Sequence, residues 1–185
     1  GEVFDAVILA VAPYHVDALL PEDTPDYIQT AYQSLHYHAI TTVYLRYAQA
    51  IKLPAPLTGF ADGTAQWVLH RGTLGLPDNE VAVVISVSDC TEAWKDKDLA
   101  EKVHADIKRV CPDLDKPEAV RIITEKRATT AATVDFIQPD FSWLHHRRIY
   151  PAGDYLHPRY PATLEAAVQS GFAAAEKLML DLQVE

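Results

Sequence analysis

Cysteine is almost absent. Cys90 and Cys111 stand far apart without a Cys-x-x-Cys spacing, so the chain offers neither the pairs of a disulfide framework nor the ligand spacing of a zinc site. Positive charge is also scarce: 16 Lys and Arg against 26 Asp and Glu give a formal net charge of −10. That balance argues against a nucleic-acid groove and against adhesion to anionic lipid, both of which need clustered Lys or Arg. No long apolar run is present. The longest, Ala6 to Pro13, falls far short of the about 20 residues that cross a bilayer, and no signal-peptide pattern accompanies it. Glycine is sparse, and Gly59, Gly63, Gly72 and Gly75 do not form the Gly-x-Gly-x-x-Gly turn that cradles a dinucleotide pyrophosphate. His-Glu-x-x-His and Gly-x-Ser-x-Gly are missing too, which removes common signatures of zinc peptidases and α/β-hydrolases. A cytoplasmic location suits the low cysteine use.

What remains is an ordinary globular composition, 49% hydrophobic and 23% charged, in a length that suits one large domain or two small ones. Val3 to Ala12 reads as a nearly continuous apolar strand of the kind buried on both faces of a parallel sheet. A chain that opens on such a strand is expected to be a fragment of a longer protein. Pro13 closes the strand and a short helix follows to Leu20. Thr24-Pro25 resembles a cap and first helical residue, with Tyr27, Ile28, Ala31 and Leu35 on one face. Strands are expected at Tyr37–Tyr47, Thr64–His70, Val81–Val87 and Glu118–Thr124, with a loop over Lys52–Pro56. A helix is expected from Thr91 to Val110, its stripe carrying Leu99, Val103, Ile107 and Val110. Thr133 to His146 shows no period and reads as a long connection.

The most informative stretch runs from Ile149 to Ala175. A short apolar strand ends in Gly153-Asp154, an aromatic and basic loop follows, and Pro161 is expected to open an Ala-rich helix reaching about Asp181. Glycine permits close backbone approach, the acid can accept hydrogen bonds from hydroxyls, and a helix start presents unpartnered N–H groups at the positive end of its dipole. Strand, glycine, acid, loop and helix start therefore suit an anionic or dipolar ligand. A tightly packed helix with small residues would read the same way on these grounds alone.

The residues Gly153, Asp154, Pro161, Ala162, Thr163, Leu164, Glu165, Ala166, Ala167, Val168, Ser170 and Gly171 resemble the carboxy-terminal FAD-binding motif of the flavin amine oxidase and phytoene desaturase superfamily. Ala10 to Pro13 is similar to the strand end at which such proteins leave the FAD domain. Gly63-Thr64-Ala65-Gln66-Trp67 with Arg71, Val84-Ile85-Ser86, and Glu125 to Ala132 resemble the squalene-associated desaturase-like branch, the hydroxysqualene dehydroxylases of hopanoid synthesis.

The resemblance implies a mixed α/β fold: part of a Rossmann-type FAD/NAD(P)-binding domain from residues 1–20 and 130–185, and an antiparallel-sheet substrate domain from 21–129. It implies FAD as cofactor, with Gly153, Asp154, Pro161, Ala162, Thr163 and Leu164 as its binding residues. Asp154 would hold the ribityl or pyrophosphate part, and the amides of Thr163 and Leu164 would face the flavin N1–C2=O edge. The implied reaction is hydroxysqualene dehydroxylation to squalene, on a long apolar isoprenoid lined by Tyr37, Tyr44, Trp67 and Leu69. Each of those four also suits a plain core role. No residue stands out as the acid for the leaving hydroxyl, and the catalytic residues stay unassigned. In this family the pyrophosphate turn lies near the start of the protein, so the missing amino-terminal part is an expected partner and the chain alone is expected to be inactive. Peripheral membrane contact of the full enzyme stays open. A carotenoid or phytoene desaturase, a flavin amine oxidase and a non-catalytic binding module are alternatives. A metal site built on His36, His38, His145, His146 and His157 is a further one, disfavoured because adjacent histidines point apart on extended backbone; no metal is expected.

Overall fold

A computed structural model describes residues 2–88, 96–133, 140–157 and 159–183. The fold is mixed α/β, and the chain divides into two compact units, residues 1–36 with 130–185, and residues 37–129.

In the first unit, strands β1 (Val7–Leu9) and β7 (Ile149–Pro151) pair in parallel, Ile8 opposite Tyr150. Helices α1 (Pro13–Val16), α2 (Asp26–Gln33), α4 (Ser142–His146) and α5 (Leu164–Gln183) belong to this unit. Leu9, Val16, Ile28, Tyr32, Leu144 and Tyr155 form one buried cluster. That cluster moves residues 21–36 out of the expected substrate domain, because α2 buries Ile28 and Tyr32 against Leu144 and Tyr155. Tyr32, not Tyr27, completes the apolar face, and Tyr27 is exposed. Thr24 does not cap α2 either: its hydroxyl donates to the Pro21 carbonyl at 2.7 Å, and the helix starts after Pro25 with no side-chain cap. The opening strand is shorter and barer than expected. Only Leu9 is buried, while Val3 and Phe4 are 95% and 75% exposed and Val7 and Ile8 face solvent in part. A two-stranded sheet covers one edge of β1 and leaves most of its faces open.

The second unit is a five-stranded sheet in the order β3-β4-β5-β2-β6, with β2 (Tyr37–Arg46), β3 (Leu57–Gly59), β4 (Trp67–His70), β5 (Glu80–Ser86) and β6 (Ala119–Thr130). The pairs β2–β5, β4–β5 and β3–β4 are antiparallel. One face is packed by α3 (Asp96–Lys108): Val43, Leu45, Val68, Val81, Val83 and Ile85 meet Leu99, Val103 and Ile107. The expected helix from Thr91 begins, within the described residues, at Asp96; 91–95 lie outside them, as do 134–139 of the expected connection. The expected loop over Lys52–Pro56 is followed by an edge strand, β3, that the sequence reading did not include, and β6 extends past the expected Thr124 to Thr130. No helix among the described residues is long and apolar enough to cross a membrane.

Candidate functional site

Strand β7 carries the chain to Gly153 and a short 3-10 turn, Asp154–Leu156. The Ala152 N–H donates to the Leu9 carbonyl at 3.0 Å, and the Gly153 N–H donates to Ser170 Oγ on α5 at 3.0 Å. Ser170 therefore ties the strand tip to the helix. Gly153 is extended (φ 170°), so left-handed freedom is not its use. A Cβ built on it would lie 2.3 Å from Tyr155 Cε1, so glycine is needed here to admit the Tyr155 ring into the core. This packing contact is a role that the expectation of close approach to a ligand did not include. Tyr155 OH bonds Tyr32 OH at 3.4 Å, and burial pushes the Tyr32 phenol up to about 12.

The expected helix start at Pro161 is displaced. Pro161 and Ala162 form a turn, with Ala162 at φ 60°, in the left-handed region. The helix begins at Leu164, and Thr163 caps it: Thr163 Oγ1 accepts the Ala166 N–H at 3.1 Å and its carbonyl accepts the Ala167 N–H at 3.1 Å. The Ala162 N–H donates to the Asp154 carbonyl at 3.3 Å, so the strand tip adjoins the helix mouth. The amides of Thr163, Leu164 and Glu165 have no acceptor among the described residues, and Leu164 is 89% exposed. No described group bonds the Asp154 carboxylate. An acid free to accept from hydroxyls thus stands beside three open amides at a helix amino terminus, an arrangement suited to a dipolar ligand with hydroxyl and acceptor groups. Of the expected residues, Asp154, Ala162, Thr163 and Leu164 converge here, and Pro161 serves as part of the turn.

His157, which carried no expected part in this site, organises the loop between acid and helix. Its Nδ1 accepts the N–H groups of Arg159 (3.2 Å) and Tyr160 (2.9 Å), which leaves the proton on Nε2, facing Gln169 Oε1 at 2.8 Å. Gln169 Nε2 donates in turn to Glu165 Oε1 at 2.6 Å, and Thr163 Oγ1 donates to the Tyr160 carbonyl at 2.9 Å. One relay runs from His157 to the cap of α5. Nothing in sequence periodicity marks such a histidine, since its partners are backbone groups within its own loop.

In the second unit the sheet face away from α3 gathers three of the four expected lining residues. Register aligns Tyr44, Ala82 and Leu69 in one row across β2, β5 and β4, and Thr42, Val84 and Trp67 in another, while Val43, Val83 and Val68 point into the helix-packed core. Tyr37 lies at an odd position of β2, in phase with Ala39, Thr41, Val43 and Leu45, and so falls on the opposite face from Tyr44. Among the described residues no group of three His, Cys, Asp or Glu is placed to hold a metal. His145 instead stacks on Tyr150 at 5.2 Å; burial, with Lys177 nearby, holds it below the usual imidazole value.

The hydroxysqualene dehydroxylase of Rhodopseudomonas palustris is 32% identical over 180 residues, 95% of this chain and 38% of the relative. That of Zymomonas mobilis subsp. mobilis is 29% identical over 183 residues, 93% of this chain and 38% of its own length. A putrescine oxidase structure shares the fold with a TM-score of 0.63 at 15% identity, covering 92% of this chain and 42% of that one. The chain thus spans well under half the length of these proteins. Residues 1–179 match the family model throughout: the chain belongs to the flavin containing amine oxidoreductase family, whose cofactor is FAD.

Proposed function

We propose that this chain forms the carboxy-terminal cofactor motif and substrate sheet of an FAD-dependent oxidoreductase acting on a long apolar isoprenoid, and that the reaction is dehydroxylation of hydroxysqualene to squalene. One observation carries the cofactor half: the 3.3 Å bond from Ala162 N–H to the Asp154 carbonyl, which ties the backbone of this acid to the turn leading into the open amides of residues 163–165. Asp154 accepts a hydrogen bond from a cofactor hydroxyl, and those amides meet the acceptor edge where negative charge collects. When bound, reduced FAD supplies the hydride that replaces the substrate hydroxyl, which leaves with a proton as water. Two relatives of about 30% identity bearing that name support the substrate. So does an open sheet face carrying Tyr44, Trp67 and Leu69, which offers apolar surface to an isoprenoid chain.

The remainder of a longer polypeptide supplies the glycine-rich pyrophosphate turn that this sequence lacks. Incubating the complete enzyme with reduced FAD and hydroxysqualene under anaerobic conditions tests the assignment. Squalene is the expected product. Turnover of phytoene or simple amines, with hydroxysqualene left intact, would overturn it.

A further inference from the structure

At one end of the open sheet face, three arginines line a single cavity of about 540 Å³ together with Tyr44, Glu80 and Ile123. Strand alternation puts them on one side. Arg46 follows Tyr44 in β2, and Arg121 and Ile123 alternate in β6 with Ile122, which packs on the α3 core. Arg71 enters from the loop after β4: its guanidinium lies 5.3 Å from the centre of the Tyr44 ring and is ion-paired with Glu80, both groups largely buried. Arg71 is therefore held in place. Among the described residues, no acid pairs with Arg46 or Arg121. One carboxylate against three guanidinium groups leaves the cavity with an excess of two positive charges, in a chain whose net charge is −10.

Arg46 and Arg121 are exposed, so both guanidinium groups are open to an incoming anion, and guanidinium is the group best matched to the paired oxygens of phosphate. The cavity floor continues along the sheet as apolar surface. Beyond Tyr44 lie Ala82, opposite it in register, and then Leu69, opposite Ala82. We propose that this corner binds an organic phosphate or diphosphate carrying an apolar tail, with Arg46 and Arg121 holding the anionic head, Arg71 fixed between Glu80 and Tyr44 as their neighbour, and the tail lying along the sheet. The same chemistry is offered by a soluble prenyl diphosphate and by the headgroup of an anionic lipid. The proposal uses no residue of the cofactor motif, so its test does not depend on flavin chemistry.

Calorimetric titration of the full chain with farnesyl diphosphate, inorganic pyrophosphate and farnesol, beside flotation with phosphatidylcholine vesicles with and without phosphatidylglycerol, reads the site directly. A soluble source is expected to show farnesyl diphosphate binding at least tenfold tighter than either half-molecule. A membrane source shows capture by the anionic vesicles alone. In either case the double variant Arg46→Gln/Arg121→Gln should weaken the interaction at least tenfold, with an unchanged thermal transition. Binding that survives this double variant at full strength, or the absence of binding to any diphosphate and to anionic vesicles, overturns the proposal.

Discussion

Gly153 is a motif residue with a packing demand of its own. Any side chain there meets the Tyr155 ring at 2.3 Å, so Gly153→Ala must displace a core tyrosine whether or not a cofactor is bound. Overpacking of this kind costs about 1–3 kcal/mol, and chemical denaturation of the flavin-free protein is the measurement; an unchanged midpoint would contradict the packing role. Ala162 has the opposite prospect. Its φ of 60° is a strained position for an L-residue, so Ala162→Gly should hold or raise stability by up to about 1 kcal/mol, whereas Ala162→Val should lower it. The sequence marked Gly153, Asp154 and Thr163 as site residues by their motif. It could not show that glycine at 153 serves Tyr155, because that contact depends on how the turn folds the ring back into the core.

At the scale of elements, the motif helix starts where its cap places it. Proline at 161 reads as a first helical residue, yet the Thr163 hydroxyl competes for that boundary by accepting the Ala166 N–H, and Ala162 turns left-handed just before it. Thr163→Ala should cost about 1 kcal/mol, while Thr163→Ser should restore most of it. The loop ahead of the cap depends on His157, whose Nδ1 accepts two backbone N–H groups. His157→Ala should loosen the turn and reduce FAD retention in the complete enzyme, with the protein still folded by circular dichroism. Strands were legible wherever β-branched residues alternate, as in Tyr37–Arg46 and Glu80–Ser86. The three-residue edge strand Leu57–Gly59 was not, because a run so short and next to prolines owes its form to pairing with Trp67–Leu69 rather than to its own pattern. The opposite error occurred at Val3–Ala12, where an apolar run was read as buried strand and most of it lies bare.

For the whole molecule, the titrating groups set a pH window. His104 and His145 are held below the usual imidazole value, chiefly by burial, so the folded chain binds fewer protons than the unfolded chain as pH falls below about 6.5. Hydrogen bonds from Ser142 hold Asp140, and those from Lys177 and Tyr150 hold Asp181, below the usual carboxylate range, and these add losses with the same sign at lower pH. Tyr32, raised to about 12, acts at the other end: its contribution is present below its unfolded value near 10 and is lost as pH rises toward 12. Thermal stability is thus expected to be highest between about pH 7 and 10 and to fall on both sides. Melting temperatures across that range check it, and His145→Asn should shallow the fall between pH 7 and 5. The two-unit organisation, with a chain that leaves one unit and returns, follows from residues 1–36 and 130–185 sharing a core, but its first boundary moved to residue 36 because α2 buries Ile28 and Tyr32 there. That shift depends on tertiary packing, which no local pattern of the helix records.

The helix mouth offers the sharpest test. Proline is well accepted at a first helical position, where Leu164 stands, so Leu164→Pro deletes one open amide while keeping α5 intact. In the complete enzyme this variant, measured beside Asp154→Ala by FAD titration and flavin potentiometry, should retain its helix. Its flavin potential should fall by about 10–30 mV, the equivalent of one hydrogen bond to the reduced form, and Asp154→Ala should bind FAD more weakly. Wild-type flavin content and potential in both variants would contradict the placement of FAD between the strand tip and the helix.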